Sequence, residues 1–253
     1  MPVNHYSVPI ASLTALFAVL LIAGILLTLP LYRFDYRRFI KTRLFIKIIF
    51  WIPIFTVFTG LLYMNNTARL AVWIILLLAA LSEFSRTARQ KKTIRGLVPV
   101  AYFSLFGIAL MHFYVIGVAY KPQTVGLLIT IGFASVISDV AAFFMGNYLG
   151  RHKLPAAFNK SKSWEGVAGQ LIGAWAGVVL VNAYVVPAPV LLFLPIGFGA
   201  AAGDLANSYV KRSANIKDWS DNIPGHGGYL DRLSSLAGSA AFTFYFVKLT
   251  GIL

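Results

Sequence analysis

The chain predicts an all-α fold, a polytopic integral membrane helix bundle of about eight spans, within a range of seven to nine. Three observations carry this. Hydrophobic residues make up 58% of the 253 residues and charged residues only 12%, whereas a soluble domain carries roughly a quarter charged residues. Several apolar runs approach or exceed the roughly 20 residues a helix needs to cross a bilayer. Basic residues are concentrated in alternate connections, the pattern of the positive-inside rule.

In order, the spans fall at about 8–29, 44–64, 68–84, 98–119, 124–146, 167–186, 188–206 and 233–252. They must be helical, because lipid offers no partner for unpaired backbone groups. The first run, Val8 to Leu29, lacks a basic segment before it and is too long for a signal-peptide core. It is expected to be a retained span. The connections 30–43 (with Lys47), 85–97, 147–166 and 207–232 then share one face. They hold all but Arg69, Lys121 and Lys248 of the 22 lysines and arginines. That face is expected to be cytoplasmic, with both termini outside. Residues 1–97 read as an N-terminal unit of three spans. Residues 98–253 read as a C-terminal catalytic transmembrane domain with loops 147–166 and 207–232.

The formal net charge of +14 does not require a nucleic acid partner, because basic loops also fix topology and meet anionic headgroups. No nucleic acid is expected. The absence of cysteine excludes disulfides, thiolate metal sites and cysteine nucleophiles. The basic–aromatic stretch 30–47 and the run 86–95 read as interfacial connectors, in preference to lipid-headgroup cradles. Glu83 closes the third span and needs a partner there; it either pairs with Arg86 or points into a site. Gly173, Gly177, Gly197, Gly199 and Gly203 are small residues that let membrane helices approach closely.

Only eight residues are acidic, and Asp204, Asp218, Asp221 and Asp231 all fall in 203–232. The same stretch holds Lys211, Arg212, Lys217, Arg232 and a Pro-Gly-His-Gly-Gly run. Two further polar clusters lie towards the same face, around Asp139 in the fifth span and at 159–166. A carboxylate within a span is costly and marks a functional candidate. Hard oxygen ligands suit Mg²⁺, which takes one or two carboxylates and fills its shell with water and phosphate oxygens. Lys and Arg clamp phosphates, and glycine-rich turns bring backbone N–H groups up to them. These are the parts of metal-assisted phosphoryl or nucleotidyl transfer.

The spacing Lys211-Arg212-x4-Lys217-Asp218, followed by Pro224-Gly225-His226-Gly227-Gly228-x2-Asp231-Arg232, resembles the signature of the phosphatidate cytidylyltransferases, the CDP-diacylglycerol synthases. Gly203-Asp204-Leu205 and Ser208 match as well. Upstream, Asp139 to Gly150 and Lys162-Ser163-Trp164-Glu165-Gly166 resemble two other motifs of that family, in the right order. The resemblance covers about residues 80–250 and implies that CTP and phosphatidic acid yield CDP-diacylglycerol and pyrophosphate. It further implies Asp204, Asp218 and Asp231 as ligands of Mg²⁺, with room for a second cation. Lys211, Arg212, Lys217 and Arg232 are implied as phosphate holders. Asp139, Lys162, Ser163, Glu165, Ser208, Gly227 and Gly228 are implied to line the substrate site. His226 is read either as a phosphate ligand or as a stabiliser of its turn. A homodimer and a bacterial inner membrane are expected on the same ground.

The chain departs from the family pattern at Asn207, where Glu is usual, and at Ser234, where the pattern closes with Asp. Phe143 replaces a common Tyr, and Asn159-Lys160-Ser161 replaces Ser-Pro-Lys. Two neutral positions beside the expected metal predict weaker metal affinity. They keep two alternatives open: a weakened or inactive homologue that binds lipid phosphate or nucleotide, and a cytidylyltransferase for a different lipid phosphate. The motifs of CDP-alcohol phosphotransferases and polyprenyl transferases are absent. The clustering of polar groups at one face argues against a transporter.

Overall fold

The computed structural model describes residues 10–29, 34–119, 124–155, 162–223 and 227–252. Among them there are no strands. The elements in order are α1 (Ile10–Thr28), the one-turn α2 (Tyr36–Phe39), α3 (Arg43–Tyr63), α4 (Asn66–Gln90), α5 (Leu97–Ala119), α6 (Thr124–Tyr148), α7 (Trp164–Tyr184), α8 (Phe193–Ser213) and α9 (Tyr229–Thr250). The eight long helices match the eight expected spans. The fold is a polytopic membrane helix bundle. Six helices, α3 to α8, are long and apolar enough to cross a membrane, and α1 carries a shorter apolar stretch, Ile10–Leu26. α9 is polar for its length because Ser234, Ser235, Ser239 and Thr243 lie on its buried face. At 1.5 Å per residue its 22 residues still extend about 33 Å.

Helix ends are where the expectation needs correcting. α4 continues to Gln90 rather than stopping at 84, and α8 continues to Ser213 rather than 206. In both, the apolar run ends before the helix does, because the last turns leave hydrocarbon and carry polar side chains. α8 closes on Asn215 at φ 53°. Ile216 N–H donates to Lys211 O (3.0 Å) and Asn215 N–H to Arg212 O (3.0 Å), the paired bonds of a helix stop with a left-handed residue just beyond it.

α6 packs most closely on α7, and α8 on α9. Four of the glycines singled out above make these contacts, and Gly197 faces Leu171 and Ala174 of α7 instead. A Cβ on Gly173 would lie 2.6 Å from Ile137 O, and one on Gly177 would lie 2.6 Å from Ala134 Cα. Gly199 and Gly203 meet the backbone of α9 at Gly238 and Ser234. At the far end, Arg69 is buried and donates to Leu61 O (3.2 Å), Leu62 O (3.1 Å), Met64 O (3.0 Å) and Gly117 O (3.4 Å). One guanidinium thus satisfies carbonyls left over where α3 and α5 stop. It also neutralises the negative ends of their dipoles.

Candidate active site

The C-terminal ends of α4, α6 and α8 and the N-terminal ends of α7 and α9 meet at one end of the bundle, and the polar motifs meet with them. The segment leaving α6 pairs with the segment entering α7: Leu154 N–H donates to Lys162 O (3.0 Å) and Trp164 N–H to His152 O (2.9 Å). This places Lys162 over α8, where its ammonium pairs with the Asp204 carboxylate and donates to Asp204 O at 3.2 Å. Ser163 caps α7, its Oγ accepting from Gly166 N–H (3.2 Å). Glu165 accepts from His152 N–H (3.1 Å), with His152 Nδ1 2.6 Å away. Both residues, expected to touch substrate, are engaged in fastening the loop that delivers Lys162. Asp139, on α6, accepts from Ser235 Oγ of α9 (2.9 Å) and lies within electrostatic reach of Asp204, Arg232 and Lys162.

A second centre forms around Asp231. Its Oδ1 pairs with Lys211 Nζ at 2.5 Å, with side chains 2% and 11% exposed. Its Oδ2 accepts from Trp219 N–H (2.9 Å) and Gly228 N–H (3.0 Å). Asp231 is the third residue of α9 and Gly228 its cap, so one carboxylate closes the helix start and ties down the preceding loop. Gly227 stands at φ 82°, a left-handed conformation that favours glycine. A Cβ there would lie 3.0 Å from Asp231 Oδ2. Ile223 N–H donates to Gly227 O (2.8 Å). Pro224, Gly225 and His226, and with them the histidine reading, lie outside the described residues.

Asn207 and Ser234, the two neutral departures, are neighbours across α8 and α9. Asn207 Nδ2 lies 3.4 Å from both Ser234 Oγ and Leu230 O. Its Oδ1 accepts from Trp219 Nε1 at 2.7 Å. Both residues are buried. The amide oxygen therefore anchors the indole of the loop, while the amide nitrogen faces the start of α9.

Glu83 is the site residue that sequence reasoning left open, and the structure resolves it. It does not pair with Arg86. Its carboxylate accepts from Ser220 Oγ (2.6 Å), Asn222 Nδ2 (2.8 Å), Tyr229 N–H (3.0 Å) and Leu230 N–H (3.1 Å). A buried anion thus sits on the N-terminal N–H groups of α9, where the helix dipole favours it, and holds both ends of the 219–228 loop. Its position inside a span end was the available signal; its partners, about 140 residues away in sequence, were not. One turn on, Thr87 Oγ1 approaches Trp219 O at 3.5 Å.

The remaining expected site residues are spread around these two centres. Ser208 is buried on α8. Arg212 donates to Ile216 O (2.9 Å), bracing the helix stop. Lys217 and Asp218 are exposed on the loop, and Arg232 is exposed at the start of α9. The Tyr102 hydroxyl of α5 is buried with no hydrogen-bond partner among the described residues, and it lies within electrostatic reach of Asp231 and Asp204.

Among the described residues, no three acidic or histidine side chains converge as a ready-made metal cluster. Mg²⁺ needs fewer, since water and phosphate oxygens complete its shell. Asp204, its side chain 34% exposed, and the neighbouring Asp139 fit that requirement as hard oxygen donors. Of the other two aspartates expected to hold metal, Asp231 spends both oxygens on protein donors, and Asp218 stands exposed on the loop.

The comparisons agree with this geometry. The cytidylyltransferase family model matches residues 7–250. A phosphatidate cytidylyltransferase of Brucella suis is 42% identical over 114 residues, which is 43% of this chain and 42% of that protein. One from Synechocystis is 41% identical over 134 residues, 49% of this chain and 44% of that protein. The chloroplastic phosphatidate cytidylyltransferase 4 of Arabidopsis thaliana is 39% identical over 133 residues, 49% of this chain and 34% of that protein. Each match covers less than half of the relative's own length. With a family match over nearly the whole chain, and that family's motifs gathered at one end of a membrane bundle, this chain belongs to the cytidylyltransferase family.

Proposed function

We propose that the chain is a phosphatidate cytidylyltransferase, joining CTP and phosphatidic acid into CDP-diacylglycerol and pyrophosphate in phospholipid biosynthesis. The observation that carries this reading is the Lys162–Asp204 pair with Asp139 beside it. Cation and carboxylates stand together at a membrane face, where a lipid phosphate and a soluble nucleotide can meet. The basic excess marks that face as cytoplasmic, and a bacterial inner membrane and a homodimer complete the proposal.

In this mechanism a phosphate oxygen of phosphatidate attacks the α-phosphorus of CTP. The new P–O bond forms as the bond to the β-phosphate breaks, and pyrophosphate leaves with the electron pair. Lys162, Lys217 and Arg232 supply positive charge to the phosphates, and both substrates, being multiply negative, are drawn to such a region. The Asp231–Lys211 pair and the Glu83 carboxylate tie Trp219, Ser220 and Asn222 to the start of α9. Asp139 and Asp204 would hold Mg²⁺, which supplies charge neutralisation at the triphosphate. The test uses purified protein in lipid nanodiscs with phosphatidate, Mg²⁺ and CTP labelled on either the α- or the γ-phosphate. The α-label is expected to move into lipid, while the γ-label stays in water as pyrophosphate. Transfer of the γ-label to lipid would mark a kinase and overturn the reading.

A second reading, a homologue that binds lipid phosphate or nucleotide without turnover, rests on Asn207 and Ser234. The same experiment separates it: CTP retained by folded protein, with no label transfer to phosphatidate or any other lipid phosphate, would favour it.

A further inference from the structure

α4 presents two opposite faces, and the reaction uses only one of them. Glu83, Phe84 and Thr87 turn inward to the 219–228 loop. On the outer face, Ile74, Ile75, Leu78 and Leu81 are exposed large apolar residues, recurring every three or four positions as a lipid-facing stripe does. The stripe continues directly into a pocket of about 230 Å³ lined by Ser82, Ser85, Arg86 and Arg89. Ser82 spends its hydroxyl proton on Ala79 O (2.7 Å). That leaves the Ser85 hydroxyl and two guanidiniums as donors. Neither arginine has an acidic partner among the described residues, and at a spacing of three residues the two like charges repel.

The order of chemistry along this face is apolar stripe, hydroxyl, paired guanidiniums. It matches, group for group, the acyl chains, glycerol region and phosphate of a glycerophospholipid standing in the leaflet beside α4. Guanidinium offers phosphate a bidentate match, and a charge at this depth faces the headgroup layer. We propose that the outer face of α4 is a binding site for an anionic membrane phospholipid, with Arg86 and Arg89 on its phosphate. The site is separate from the one where the reaction is placed. It goes beyond the topological reading of 86–95 as a basic connector, because it assigns the binding to two arginines on one face and not to the run as a whole.

The test is lipid retention, which does not depend on CTP or turnover. Full-length protein is assembled into nanodiscs of equal phosphatidylcholine and phosphatidylglycerol, released, and its retained lipids are counted by native mass spectrometry. Wild type is expected to retain phosphatidylglycerol in several-fold excess. The Arg86→Gln/Arg89→Gln variant should lose that excess and retain the two lipids in about the equal ratio supplied. The Lys91→Gln/Lys92→Gln variant removes the same charge a turn away and should keep it. All four residues are exposed or peripheral, so the variants keep the fold. Equal loss in both variants would reduce the effect to diffuse charge, and absence of enrichment in wild type would remove the site. Displacement of the lipid by millimolar inorganic phosphate would point to a free-anion site and overturn the lipid assignment.

Discussion

Lys211 and Asp231 form a buried ion pair, and pairs of this kind are strongly destabilising to break from one side only, by about 3–5 kcal/mol, because the survivor is left as an uncompensated buried charge. Lys211→Met alone should therefore unfold in detergent with a loss of that size, while Lys211→Met combined with Asp231→Leu should cost less than the sum of the single changes. A double-mutant cycle on reversible unfolding measures this. Asn207→Leu leaves the buried Trp219 indole N–H without its acceptor, for an expected loss of about 1–3 kcal/mol in the same experiment. The residue types of the site were legible in the sequence, because carboxylates are scarce here and cluster beside spans. Their pairings were not. Asp204, Asp218 and Asp231 look equivalent in a motif, yet Asp231 is enclosed by Lys211 and two backbone N–H groups while Asp204 stays open. The neutral Asn207 and Ser234 read in sequence as lost acids; in space they are neighbours, with the amide holding Trp219.

Element ends carry the site, and they are also where hydropathy is least informative. The core of each long helix followed from its apolar run, but α4 runs on for six residues beyond the expected 84. Glu83 at the end of the expected span and Thr87 beyond it connect α4 to a loop more than 130 positions away. Glu83→Gln keeps the shape and removes the charge from the start of α9. It is expected to speed amide exchange across 219–230, read by hydrogen–deuterium exchange, with the rest of the bundle unchanged. Glycine packing was legible because small residues recur through α7 and α8. Gly177→Val would set a branched side chain against Ala134 backbone, at an expected cost of about 1–3 kcal/mol on unfolding. An unchanged midpoint would show that α6 and α7 separate more readily than the 2.6 Å approach allows.

For the whole molecule, the apolar runs gave the span count, and the alternation of basic and sparsely charged connections gave a common face for the loops at 85–97, 147–166 and 207–232. These three do converge at one end of the bundle. What the pattern could not give is which side chains close the distance between helices, since that depends on rotation about each helix axis and not on depth alone. In the mechanism we propose, Lys162 and Asp204 are the open, charged part of the site, with the Asp231 and Glu83 networks as its frame. The most direct measurement is cytidylyl transfer to phosphatidate by wild type, Asp204→Asn and Lys162→Met, each in nanodiscs and each shown to be folded by an unchanged unfolding profile. Both variants are expected to lose at least about a hundredfold in turnover, as losing one charged contact to a reacting phosphoryl group typically does. Turnover within a few fold of wild type in either variant would contradict the account and place the reaction elsewhere in the bundle.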